Sequence, residues 1–302
     1  MAAASESNTT TLQYPMWIVN DKIYCDEAEL KHHLIQKLNY NEDNACRVIQ
    51  QITALLKNNN SLRGFWWEAA EKMSTEVIRV ILQSIEHTQL IYMLSYRDVL
   101  GDTALYWCAR NKRSDVIEMI LDCCVSEEQC YQLLSITDSW WRQTPLHVSC
   151  MRGDTESVRV MLNHINQDMK YSLLQMRSDF SNTPLHYTSH NGHTDVTKMI
   201  HESVTQTQWI NLLHMKGSRE MAVLQAAVYC DKQSSCIETI RESVSAEVWI
   251  KLLSTPLPEY NPECDNDARY QRVVSMIDEL RTAARVKSVL LIANQSGEYN
   301  CK

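Results

Sequence analysis

Three histidines, His186, His190 and His193, fall in an HxxxHxxH spacing, and imidazoles four residues apart on one helix can share a metal ion. Cysteine offers a second chemistry: Cys123-Cys124 with Cys130, Cys108 with Cys150, and Cys230 with Cys236 could be drawn as zinc or thiol sites. None has CxxC spacing, and the eleven cysteines are odd in number and irregular in placement. Free, buried thiols in a reducing compartment fit that usage better than disulfides or a zinc cluster. The chain has no GxSxG, no Gly-rich phosphate loop and no HExxH, so nucleophilic, phosphoryl-transfer and metallopeptidase chemistry have no visible machinery. No catalytic residue, metal site or cofactor is assigned.

The elements that would position these side chains repeat along the chain. In the stretch Thr183–Leu213, Thr183 suits a helix N-cap and Pro184 the first helical position, where a missing N–H costs nothing. Asn191-Gly192 can take the left-handed conformation that ends a helix, and Thr194 with Asp195 restarts the chain as a cap and a first-turn acid. Each unit then carries a third apolar segment: HTQLIYMLS ending at Ser95, EEQCYQLLS at Ser135, QDMKYSLLQ at Gln175, QTQWINLLH at His214 and AEVWIKLLS at Ser254. These ends step by 40, 40, 39 and 40 residues. The spacing predicts an additional short helix per unit, with Met93-Leu94, Leu133-Leu134, Leu173-Leu174, Leu212-Leu213 and Leu252-Leu253 facing a shared core.

The segment TPLHYTSHNGHTDVTKMI from Thr183 resembles the ankyrin-repeat pattern TPLHxAAxxGHxxIVxxLL, and TPLHVSCMRGDTESVRVML from Thr144 is a second close copy. TALYWCARNKRSDVIEMIL from Thr103 is a third, and GFWWEAAEKMSTEVIRVIL from Gly64 matches it at an offset of 39. A fifth, from Met221, keeps the apolar pattern without TPLH or the Gly. The unit is longer than the ~33 residues usual in that family, and the third segment is the recurring feature in the added length. The resemblance gives structural roles to Thr103, to Thr144, Pro145, Leu146 and His147, and to Thr183, Pro184, Leu185, His186 and Gly192. It also explains His186 and His193 as motif positions, leaving only His190 for a metal.

What this implies is an all-α, or nearly all-α, ankyrin-like helical solenoid with short turn or hairpin fingers and helical terminal caps. The expected organisation is a disordered tail at 1–12 and an N-terminal helical cap at 13–60. Five repeats over 61–254 (61–98, 99–138, 139–178, 179–216, 217–254) and a linker with an amphipathic helix at 255–302 complete it. YPMWIVNDKIYC, from Tyr14, reads as a small hairpin or an extended cover, and Trp66 and Trp67 as contacts to the cap.

In such a stack the segments before each TPLH form fingers that, with the first helices and the concave face, bind a protein partner. Here the fingers carry Val99 and Leu100, Trp140 and Trp141, and Phe180, apolar where polar residues are usual. Exposed aromatics are favoured interface anchors, so they form a candidate partner-binding stripe; the alternative is that they bury against one another. A net charge of −8 disfavours a phosphate-backbone binder and points to an unidentified protein partner with a basic or apolar surface. No apolar run reaches the ~18 residues of a membrane span, and no secretory signal is visible, so the expectation is a non-catalytic adaptor, scaffold or inhibitor in the cytoplasm. Two alternatives stand beside it: a regulatory region of a larger multidomain signalling protein, and an enzyme with a Cys/His site.

Overall fold

The structure, a computed structural model, describes residues 14–58, 60–229, 234–256, 271 and 274–284. The tail at 1–12, Cys230, most of the linker after Pro256 and the apolar run near the C-terminus lie outside them. The chain divides after Val125 into two compact units.

The first unit opens with an antiparallel hairpin, β1 (Met16–Val19) and β2 (Lys22–Cys25). Asn20 and Asp21 both take positive φ, 51° and 60°, at its two-residue turn, as a tight hairpin with right-handed twist requires. The expected N-terminal helical cap is therefore a hairpin followed by two helices, α1 (Glu27–Gln36) and α2 (Glu42–Asn58). Asp26 caps α1 by accepting from the N–H groups of Ala28 and Glu29. The hairpin is tied to more distant parts of the same unit. Met16 N–H donates to the Ser84 carbonyl at 3.1 Å, Ile23 N–H to Asn60 at 2.8 Å, and the Tyr92 hydroxyl to Asp21 at 2.6 Å.

Next come α3 (Leu62–Lys72), α4 (Thr75–Gln83) and α5 (His87–Ser95), then α6 (Ala104–Arg110) and α7 (Ser114–Asp122). The first helix of the segment read as a repeat from Gly64 begins at Leu62, because Ser61 supplies the cap. Trp66 is buried edge-on to Phe65, whereas Trp67 is 45% exposed with the Lys72 ammonium 5.6 Å from its ring centre.

The second unit repeats a three-helix layer. After α8 (Glu127–Leu134) come α9 (Pro145–Arg152), α10 (Thr155–Asn163) and α11 (Gln167–Gln175); then α12 (Pro184–Asn191), α13 (Thr194–Ser203) and α14 (Gln206–His214); then α15 (Val223–Tyr229), α16 (Ser234–Glu242) and α17 (Ala246–Leu253). First helices pack on first helices (α9 on α12, α12 on α15), second on second (α10 on α13, α13 on α16), and third on third (α8, α11, α14, α17 in turn). All five paired apolar positions of the third helices, Met93-Leu94 through Leu252-Leu253, are buried. At roughly 1.5–3 kcal/mol for a buried aliphatic side chain, each pair is a major part of its own layer's cohesion. Pro145 and Pro184 sit at N1 of α9 and α12, and Gly153 and Gly192 end those helices at φ 66° and 73°. The cap expected at Thr194 is one residue earlier, at His193, since Thr194 is already helical.

Residues 274–284 are helical and close on α17. Ile277 is buried, and the Arg281 guanidinium donates to the carbonyls of Leu253, at 2.6 Å, and Thr255, at 3.4 Å. A cation over the last carbonyls of a helix satisfies acceptors with no partner inside it.

Candidate interaction surface

The fingers are built from the layer beneath them. In each copy of the TPLH motif the threonine and histidine close a reciprocal cap. His147 N–H donates to Thr144 Oγ1, while His147 Nδ1 accepts from Thr144 N–H at 3.2 Å. Thr183 and His186 repeat this at 3.3 Å. Because Nδ1 accepts, the ring proton lies on Nε2, and it reaches forward to the next finger. His147 Nε2 faces the carbonyls of Met176 at 3.0 Å and Asn182 at 3.3 Å, and His186 Nε2 faces that of Met221 at 3.2 Å. Burial holds both imidazoles down at about 4, against the usual 6.5, so they are neutral.

The layer after α14 does the same work with an amide. Gln225 Oε1 accepts from Ala222 N–H at 2.9 Å, and Gln225 Nε2 donates to the carbonyls of Thr255 at 3.2 Å and Pro256 at 3.0 Å. The TPLH letters do not reveal Gln225. Its position three residues after a helix-start residue would have, since a glutamine presents an acceptor and a donor much as neutral imidazole does.

The three histidines of the HxxxHxxH spacing do not converge. His186 points to the Met221 carbonyl and His193 Nε2 to the Met151 carbonyl at 3.0 Å, on opposite neighbouring layers. His190 lies exposed on α12. Among the described residues, no group of three or more His, Cys, Asp or Glu side chains is placed to hold a metal. Among the described cysteines Cys108, Cys130, Cys150 and Cys236 are buried, Cys25, Cys123 and Cys124 half-buried and Cys46 exposed; burial raises the Cys108 thiol to about 12 and pushes Cys150 and Cys123 up as well, which disfavours the thiolate that nucleophilic chemistry needs.

In the first unit the finger is a turn closed by Asp98 N–H on the Asp102 carbonyl at 3.0 Å, with Gly101 at φ 80°. The Asp98 carboxylate accepts from the N–H groups of Leu100 and Asp102 and from Trp107 Nε1 at 2.8 Å. Val99 is 74% and Leu100 38% exposed.

In the second unit three successive fingers are joined. The first is closed by Asp138 N–H on the Gln143 carbonyl at 2.9 Å, and the buried Asp138 carboxylate takes the N–H groups of Trp140, Trp141 and Gln143. In the next, Ser178 occupies the position of Asp138, with its N–H on the Asn182 carbonyl at 3.0 Å, so Asp179 belongs to the tip and not to the turn's base. Asp179 N–H donates to the Trp141 carbonyl at 2.8 Å, and the Trp141 and Phe180 rings stack with centroids 5.2 Å apart. Asn182 Oδ1 accepts from Ser218 N–H at 2.7 Å, and Arg177 donates to the carbonyls of Ser181 and Lys216, fastening the third finger. Trp140 is 64%, Trp141 48% and Phe180 49% exposed, so these side chains are not withdrawn into the core; Trp141 and Phe180 cover one face of each other and leave the rest to solvent.

No curated protein matches the chain. Ankyrin repeats generally mediate protein–protein interaction and are typically non-catalytic. No helix of the described residues is long and apolar enough to cross a membrane. Residues 124–208 match the family model described as ankyrin repeats (3 copies), and with its helical layers the described chain has an ankyrin-like repeat fold.

Proposed function

We propose that this chain is a non-catalytic adaptor, scaffold or inhibitor that captures a protein partner on the fingers and first helices of its repeats. We take the array as five repeats over 61–254, with the helix at 274–284 as its closing layer. The Trp141–Phe180 stack carries the reading. Two large rings from successive fingers lie against one another at the surface, with Trp140 more exposed beside them. Burying such rings against a partner gains more than leaving them in water, and tryptophan is the side chain most enriched at binding hot spots. Val99 and Leu100 offer a second apolar finger in the first unit.

Affinity capture from the source cells with the intact chain and with Trp140→Ala/Trp141→Ala tests it. The double variant loses the captured protein while its melting temperature stays within about 3 °C of the parent, because both side chains are already half exposed or nearly so. Unchanged capture by a folded variant defeats the proposal. A fall well beyond that range would show the rings to be part of the fold.

A further inference from the structure

Resting on that reading of the fingers, we propose that the joined fingers of the second unit form a site for an acidic peptide segment carrying an apolar anchor residue. The chain as a whole is acidic, with 37 Asp and Glu against 29 Lys and Arg. On the three fingers the balance reverses. Arg142, Arg177, Lys216 and Arg219 stand there against the exposed carboxylates of Asp179 and Glu220. The remaining acid, Asp138, is buried and its oxygens are occupied by backbone N–H groups. Along the strip that the three fingers make, Arg142 is ion-paired with Asp179 at 3.9 Å and Lys216 with Glu220 at 3.2 Å, while Arg177 bridges the second finger to the third, so of the four cations two are in excess of the exposed carboxylates. The Trp141–Phe180 shelf sits in that strip as the place for an apolar side chain.

Arg142 carries a further sign. It takes φ 50° at the position where Gly101 stands in the first unit's finger, a left-handed conformation that favours glycine. Ser181 and Glu220 take the same conformation at the matching places of the next two fingers, at φ 60° and 58°, so the turn imposes it on every finger, and the first of the three fills it with a cation. Local positive charge on a negative protein selects partners by sign: an acidic segment is attracted to the strip, while nucleic acid is also repelled by the rest of the molecule.

The test uses intrinsic tryptophan fluorescence of the full chain titrated with a twelve-residue Glu/Leu peptide, the same peptide with Lys for Glu, and a single-stranded RNA twelve-mer. The Glu/Leu peptide binds at least tenfold tighter than the Lys/Leu peptide at low salt, and 0.5 M salt removes most of that difference. Arg142→Gly weakens Glu/Leu binding severalfold with an unchanged or higher melting temperature, since glycine suits the backbone there. Equal or tighter binding of the Lys/Leu peptide, binding of the RNA in preference, or no Glu/Leu binding to millimolar concentration overturns the proposal. Capture of a cellular protein that depends on Trp140 and Trp141 but not on Arg142 would leave the interaction function standing while removing the acidic specificity.

Discussion

His147 and His186 each do three things with one neutral ring: they close a helix cap, fill a buried space and bind a carbonyl of the following finger. Protonation removes the Nδ1 acceptor and places a charge on a buried side chain. Between pH 6.5 and about 4 the unfolded chain takes up protons that the folded chain refuses, so stability is full above that window and falls as pH drops through it. The loss approaches about 3 kcal/mol per ring near the lower end. Gln225 indicates how to isolate the effect. His186→Gln keeps an acceptor and a donor, so melts recorded from pH 7 to 4.5 will show a shallower decline than the parent, at a modest loss at pH 7; an identical decline would clear the histidine of responsibility. Gly153 is constrained differently. It has φ 66°, and a Cβ there would lie 2.5 Å from the His193 ring. Gly153→Ala will therefore cost about 2 kcal/mol in denaturant unfolding, through backbone strain and displacement of His193 from the Met151 carbonyl.

At the level of elements, the third helix distinguishes these layers from a shorter unit. Its exposed and buried positions follow one pattern in α8, α11, α14 and α17: an exposed first turn, a middle position that is buried as Cys130, Trp209 and Trp249 and half-buried as Lys170, and two buried residues before the end. Leu173 and Leu174 have no exposed surface, so Leu173→Ala will lower stability by roughly 2–5 kcal/mol, while Ser172→Ala on the exposed side will change it by less than about 0.5. Equal effects at the two positions would mean that the third helix is an appendage and not part of the core. A comparable dependence on side chains holds second helices in place. In the first unit Arg113 donates to the carbonyls of Ala70, at 3.3 Å, and Met73, at 3.0 Å, and is itself held by Asp115, whose carboxylate also takes the Thr75 hydroxyl. Arg113 thus stands where His193 stands in the second unit and makes the same kind of backward tie with a longer side chain.

For the molecule as a whole, charge is distributed against its average. The formal −8 suggests a basic partner, yet it is a sum over mostly solvated helix faces and says little about a particular patch. The proposed site on the fingers of the second unit gathers cations around exposed aromatic rings, so it favours an acidic segment where net charge favours a basic one, and salt weakens either attraction. The Trp140/Trp141 substitution and the peptide titration test these two levels separately, one removing apolar area and the other reading sign.

The repeat was legible before any coordinates because it is written in local chemistry. Threonine before proline starts a helix, a glycine ends it, and a paired apolar position recurs every 39 or 40 residues, each acting within a few residues of itself. The same locality hid Gln225 behind lost motif letters, and left the hairpin at Met16–Cys25 undecided between a strand pair and a cover. Whether Trp140, Trp141 and Phe180 face solvent, whether three histidines on one stretch share a target, and which cations stand beside which rings depend on neighbours some 35 to 44 residues away. Tertiary structure decided them, because burial and convergence are properties of how layers meet and not of any one layer's sequence.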